Sequence, residues 1–582
     1  MAVCVCFGWT LWLILLNVAP DDTVNRVMNT ETFDYGSFWL MVNPSEALVA
    51  VATVGMSVVA LGYLGVLVKV VTRFHRRKNA FLIHQASSKR GRAQSDTSDR
   101  HLSSKMAITT KKFAKSLIQD ESPARKRIKL LMKFGDLALE TLLLYQMLEA
   151  GSPLVLIGIF TFIAASNALA CAAMMFVPFD FLIIIGCPML VVVYCLSAFT
   201  FDHAKFAINL EVFPAGWFEQ GANVIADAEQ TAVIYESLKS LRIMTALSFF
   251  TRIGVNITLC LRLWQVVDLI HNPNKQHSSV YPKRHRLGAA FLVIYAAMLV
   301  IFVEESVRTS SLACRPHPEC VVSARRWTIL EDGSLSQCPC LMLIDRDIAP
   351  KTYADWENPV NVTNKVAQLA VKGELQTVQL TNRYLAVFPE ELRRCKNLRH
   401  LSLEYTHTQT FPSWMKEFSK LEFMWVWCFL KISKYVLSTL MILWYIRHVD
   451  SKFTSPMVAL PDDMFEDMSS LTFIHFAAFI PMAKLPSFDG LTNLKSLTLA
   501  VFLLLDEVPS FDKLENLERL VLASMPGMNS LPDVSHAGGP THSGTHGALQ
   551  WDHVEAVRLL KRCATTPDSW ASPARRMFIR SR

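Results

Sequence analysis

Four cysteines stand close together in the chain, at Cys314, Cys320, Cys338 and Cys340. An even number of thiols in so short a stretch suits disulfide chemistry, and disulfides imply an oxidising compartment. Cys338-Pro339-Cys340 is also a spacing that metals accept. A zinc site is nevertheless not expected, because the only histidine near these thiols is His317, which sits between two of them. Asn361-Val362-Thr363 is a glycosylation sequon a little further on, consistent with the same compartment. Arg252 and Arg262 lie inside an otherwise apolar stretch. They mark either a polar pathway inside a membrane or an interfacial helix whose arginines reach back to water. Phosphate loops, kinase signatures, zinc-protease helices and serine-hydrolase elbows do not occur in the sequence. No catalytic residue, no cofactor and no metal is therefore expected.

These residues are positioned by two kinds of sequence. The C-terminal part repeats with a 23-residue period, from Leu375, Leu398 and Leu421 and again from Leu471, Leu494 and Leu517. Apolar residues recur at i, i+3 and i+5, as in Leu375/Val378/Leu380 and Leu494/Leu497/Leu499, and an apolar-Pro pair such as Phe388-Pro389 closes each unit. The apolar positions must point inward, since one such unit cannot bury its own face and several must stack. Alternation then puts the intervening residues on the exposed face of a parallel sheet. They are Thr377, Gln379 and Thr381; His400, Ser402 and Glu404; Phe473, His475 and Ala477; Ser496, Thr498 and Ala500; and Arg519, Val521 and Ala523.

This period and spacing resemble the leucine-rich repeat, of the short 23-residue class. The resemblance implies a binding solenoid whose concave face contacts a protein ligand, with Thr377, Gln379, His400, Ser402, Glu404, Phe473, His475, Ser496, Thr498 and Arg519 as candidate contacts. Two departures from the family stand out. The asparagine expected eight residues after the leading leucine is replaced by Arg383, Thr406, Phe479, Phe502 and Met525. The third unit is interrupted: from Leu421 to Pro461 the distance is about 25 residues longer than in its neighbours, and Met424 to Ile446 is apolar enough to be a membrane-touching insertion, 424–448. A protruding helix, a sequence error and a true span are all open there.

The N-terminal part is a membrane region. Of the whole chain, 51% is hydrophobic, the mean hydropathy is +0.27, and the apolar residues are gathered in long runs. A span needs about 20 residues to cross roughly 30 Å of hydrocarbon. Residues 1–20 read as a signal peptide or signal anchor, and 47–68 as a transmembrane helix. Residues 69–133 hold 18 Lys/Arg against four Asp/Glu, which reads as a cytoplasmic loop, disordered over 85–110 and suited to anionic lipid. Nucleic acid is not expected as a partner, because the loop lacks interleaved aromatics. The helical membrane region 134–303 contains an amphipathic helix near 128–148, with Asp136 and Glu140 on its polar side. Spans follow near 153–177, 181–200 and 287–303, and 241–270 is ambiguous. A cysteine-bearing linker and N-terminal cap occupies 304–374, the repeats 375–534, and a tail 535–582.

The expected fold class is mixed: an α-helical multi-pass membrane region followed by an α/β leucine-rich repeat solenoid. The expected function is protein recognition at the plasma membrane, receptor-like or adhesive, with the repeats outside the cytoplasm. The alternatives are a transporter or channel with an accessory repeat domain, and a repeat scaffold facing the cytoplasm.

Overall fold

A computed structural model of the 582-residue chain describes residues 2–19, 23, 46–89, 123–174, 207–208, 225–226, 243–271, 286–327, 338–347, 358–428, 457–517, 519–523, 525 and 527–528. Several expected features fall outside the described residues: the span 181–200, residues 90–122 of the basic loop, residues 429–456 and the tail 535–582. The described residues form seven α-helices and a mixed eight-stranded sheet, and they divide into two compact units: the first holds those up to Ser306 apart from 207–208 and 225–226, and the second holds these two pairs and everything from Val307 onward.

The first unit is helical: α1 (Ala2–Val18), α2 (Glu46–Lys89), α3 (Pro123–Glu149), α4 (Leu154–Met174), α5 (Ala246–His271) and most of α6 (Arg286–Cys314). Three stretches are long and apolar enough to cross a membrane: Ala47–Thr72, Leu154–Ala173 and Arg286–Cys314. Between 33% and 39% of their most apolar windows is buried within the protein. Large apolar side chains such as Val54, Leu61, Phe162 and Phe291 point outward instead, the arrangement that hydrocarbon stabilises and water does not.

Polar groups and small residues join these helices. Asn17 of α1 donates through Nδ2 to the Val49 carbonyl at 3.1 Å and to Thr53 Oγ1 at 3.0 Å on α2. Along α2, Gly55, Gly62 and Gly65 leave room for Phe249, Cys260 and Trp264 of α5, and close backbone approach of this kind is what small residues allow in helix pairs. Tyr63 donates to Asn256 Oδ1 at 3.0 Å, and Lys69 lies 3.9 Å over the Trp264 ring.

Helix α3 differs from expectation. Asp136 and Glu140 do not line a solvated polar side. Lys133 and Asp136 form a buried pair at 3.1 Å, and Glu140 accepts from Asn167 Nδ2 of α4 at 3.0 Å. Gln146 accepts from Thr251 of α5 at 3.1 Å, and Thr141 meets Tyr295 of α6 at 2.7 Å. The polar stripe of α3 thus faces its neighbour helices, because polar groups among apolar surroundings are stable only when they bond to one another. Helix α6 also runs past Glu304 and Glu305, where the expected span ends, through to Cys314. The ambiguous stretch is one helix, α5, packed against α2 and α3.

The second unit holds the chain from Val307 onward and two short earlier strands. Its short strands β1 (Ala207–Ile208) and β2 (Ile225–Ala226) pair antiparallel. The main sheet runs β3 (Cys320–Ser323), β4 (Cys340–Arg346), β5 (Thr377–Thr381), β6 (His400–Glu404), β7 (Phe423–Trp427), β8 (Phe473–Ala477), β9 (Ser496–Ala500) and β10 (Arg519–Ala523), in that spatial order. In this sheet β3 pairs antiparallel with β4, and every strand from β5 on pairs parallel with the one before it. Helix α7 (Thr363–Ala370) lies between β4 and β5 and buries Val366, Leu369 and Ala370.

The third unit is a correction. Phe423–Trp427 was expected at the start of an insertion, yet it is a full strand, with Trp425 opposite Ser402 on one side and His475 on the other. Inward-facing Met424 and Val426 are buried, so the i+3 and i+5 positions after Leu421 are kept. The insertion starts only after Cys428, whose amide bonds to the Ala477 carbonyl at 3.0 Å, and the chain is back in the core at Met457. Units two and four are therefore not neighbours, because unit three stands between them.

One continuous apolar core runs under the parallel strands, from Val362 to Met525. Two kinds of contact join successive units outside the strands. Phe479 and Phe502 stack with ring centroids 5.3 Å apart, fully buried. Asn493 and Asn516, which precede the leading leucines, donate to the Ser469 and Thr492 carbonyls at 2.8 Å. Strands β5, β6, β8 and β9 each leave through a left-handed residue: Asn382, Tyr405, Ala478 and Val501 have φ between 51° and 63°. Gly490 is required by close approach, since a Cβ there would lie 1.9 Å from the Phe465 carbonyl oxygen.

Candidate functional site

The strand face opposite the core carries the candidate residues. Parallel in-register strands lie about 4.8 Å apart, so equivalent residues of successive units stand side by side in rows. The first row is Thr377, His400, Phe423, Phe473 and Ser496; the second is Gln379, Ser402, Trp425, His475 and Thr498; the third is Thr381, Glu404, Trp427, Ala477 and Ala500.

That spacing suits flat rings. His400 stacks on Phe423 with centroids 4.1 Å apart, and Phe423 on Phe473 at 4.5 Å, all within 4° of parallel. In the next row Trp425 stacks on His475 at 3.9 Å. Trp427 closes the end of the face against Tyr405 at 5.3 Å. The rings spend their faces on one another, so a ligand meets edges rather than an open stacking platform.

All the candidate residues with described side chains share this face, but they are less exposed than expected. Thr377, Gln379, Ser402, Phe473, Ser496 and Thr498 are buried, and His400, Glu404 and His475 are half-buried. The reason is the row geometry: each side chain covers the flank of the next. Arg519 lies in β10, and its side chain is outside the described residues. Half-buried positions at the C-terminal ends of the strands are Glu404, Tyr405, Trp427 and Ala500, and Trp425 and His475 are half-buried at mid-strand. Phe423, Trp425 and Trp427 are absent from the sequence-based candidates. Their signal is the alternation around Met424 and Val426, which an apolar run beginning at Met424 hides.

Burial sets the ionisation of this face. The His400 imidazole, packed on Phe423, is pushed down from 6.5 to about 3 by loss of solvent. Burial, and then the neighbouring Glu404 carboxylate, raise the Tyr405 phenol well above its ordinary value. Glu404, the carboxylate of this face, accepts from Thr381 at 3.4 Å.

Beside the first parallel strand sits an ionic cluster. Asp345 of β4 accepts from Arg383 at 2.6 Å and from Lys365 at 3.0 Å, and Lys365 also reaches Glu319 at 3.3 Å. Arg383, which follows β5, thereby links the first repeat strand to β4. Two disulfides, Cys314–Cys338 and Cys320–Cys340, fix the cap, with Cα atoms 4.5 and 5.8 Å apart. The sulfurs of Cys314, Cys320 and Cys338 lie within 4.8 Å of one another; as disulfides they present no thiolate to a metal. Asn361 is exposed and accepts from the Thr363 amide at 2.9 Å. In the helical unit, Arg252 is half-buried in α5, and the Arg262 side chain is outside the described residues.

No protein-family model matches the chain, and a search of curated proteins finds no match.

Proposed function

We propose that the chain is a membrane-anchored recognition protein. In this reading a leucine-rich repeat solenoid, held outside the cytoplasm, binds a protein ligand through its strand face, in a receptor-like or adhesive role without catalysis. The observation that carries it is the register. Five parallel strands, β5 to β9, align their side chains in rows, and three of them bring aromatic rings together on one face. Buried aromatics with a polar rim are the usual energetic centre of protein interfaces. The disulfides and the exposed Asn361 support an oxidising compartment for this unit. The basic residues of 69–133 suit the anionic leaflet on the other side, at plasma or another membrane.

The test uses the full chain in cell membranes, with a photoreactive side chain at position 404, 427 or 500. A control carries it at Lys513, an exposed turn residue. The reading expects the same cross-linked protein from the three face positions and none from 513. Adducts absent from the face, or shared equally with 513, would overturn it.

A second reading, transport through the helical unit, draws on the buried Lys133–Asp136 pair and the Glu140–Asn167 bond, since ionisable groups inside membrane helices commonly mark pathways. Ion flux in vesicles that is abolished by Glu140→Gln and untouched by face variants would favour it.

A further inference from the structure

The cap's two disulfides are not independent staples. Cys338 and Cys340 flank a single proline, and each belongs to a different bridge. The Cys340 amide bonds back to the Cys338 carbonyl at 2.8 Å, which holds the two residues in one tight turn. Across the turn, the sulfurs of Cys314, Cys320 and Cys338 are mutually within 4.8 Å, so members of both bridges share one cluster. Cys314 and Cys320 are half-buried, whereas Cys338 and Cys340 are buried. A thiolate attacks a disulfide sulfur that it can reach, and access decides which sulfur an external thiol meets first.

We propose that the four cysteines form one thiol–disulfide exchange unit, and that an external dithiol is the partner that works it. A thiolate of the dithiol attacks Sγ of Cys314. A mixed disulfide forms there, the Cys314–Cys338 bond breaks, and its electron pair leaves on Cys338. The Cys338 thiolate attacks Sγ of Cys320 within the cluster. Cys320–Cys338 forms, Cys320–Cys340 breaks, and Cys340 leaves as a thiolate that takes a proton. The second thiol of the dithiol then resolves the mixed disulfide and releases Cys314 as a thiol. Two electrons and two protons have passed from the dithiol, which ends as a disulfide. The chain retains one bridge, Cys320–Cys338, with Cys314 and Cys340 free.

The consequence is structural. Cys320 lies on β3 and Cys340 on β4, and β4 is the strand on which the parallel sheet begins. Exchange moves the bridge off β4 while leaving β3 tethered to the turn, so the sheet's first parallel strand loses its covalent tie to its edge partner. This inference stands apart from the identity of any ligand on the strand face.

Two experiments on the full chain in membranes test it. The first gives the wild type limiting dithiothreitol, quenches with an alkylating maleimide, and locates the label by peptide fragmentation. The exchange unit expects label on Cys314 and Cys340, with Cys320 and Cys338 held in the surviving bridge. Label confined to one original pair, Cys314 with Cys338 or Cys320 with Cys340, would overturn it. The second uses Cys340→Ser, which leaves Cys320 as a free thiol beside Cys314–Cys338 without any added reductant. Label spread over Cys314, Cys320 and Cys338 supports the proposal; label on Cys320 alone contradicts it.

Discussion

His400 makes the sheet's stability sensitive to acid. Its imidazole is stacked on Phe423 in the first row, and burial lowers its pKa from 6.5 to about 3. In the unfolded chain the ring takes a proton near pH 6.5; in the folded chain it resists until about 3. Between those values the unfolded state binds more protons. Stability is thus fully present above pH 6.5 and falls as the pH drops toward 3. Each pH unit in that window is worth about 1.4 kcal/mol, so going from pH 7 to 5 costs about 2 kcal/mol, or roughly a 30-fold loss of protection. His400→Phe keeps a planar ring on Phe423 and removes the titration. The assay is hydrogen exchange of the β5–β7 amides in the detergent-solubilised full chain, corrected for the intrinsic pH dependence of exchange. The wild type should lose protection by that factor, and the variant should lose far less. An equal slope in both proteins would refute the reasoning, because some other group would then be titrating.

Further outcomes follow from single positions. Val501 is β-branched at φ 61°, so Val501→Gly should relieve left-handed strain and stabilise the sheet by about 1 kcal/mol, read as slower exchange in β9. Phe479→Ala should cost about 3–5 kcal/mol, since it opens a cavity beside Phe502 in a fully buried stack; chemical unfolding of the second unit measures it. Gly490→Ala should be at least as damaging as a typical overpacked core change, about 3 kcal/mol, because its Cβ meets backbone at Phe465 that cannot rotate away. Glu417, held at about 2 by Arg393 and Lys396, should lend stability that is present above pH 4.5 and lost toward pH 2, and Glu417→Gln should flatten that acid limb.

Much of this architecture was legible in residue spacing. The leading leucines and their i+3 and i+5 partners mark the strands, because a fixed period leaves one way to stack them. The helices of the first unit were legible as apolar runs, though not their ends: α6 continues through Glu304 and Glu305 because helix geometry does not stop where hydropathy does. What faces what was harder to read. Asp136 and Glu140 look solvated along the chain; in the fold Lys133, one turn earlier on the same helix, pairs with Asp136, and Asn167 of α4 donates to Glu140. The third strand was hidden because Phe423, Trp425 and Trp427 make both its faces apolar, which erases the alternation that identifies a strand. Burial of the candidate face could not be read either, since it depends on contacts between rows 23 residues apart. Four cysteines admit three pairings, and sequence does not choose among them.

The central claim is that the strand face works outside the cytoplasm on a membrane stem, and Asn361 reports on it most directly. Full-length protein from cells that glycosylate secreted proteins should lose mass on treatment with a peptide glycosidase, and Asn361→Gln should show no such loss. An unglycosylated Asn361, on a sheet unit that external protease cannot reach in sealed cells, would contradict the account.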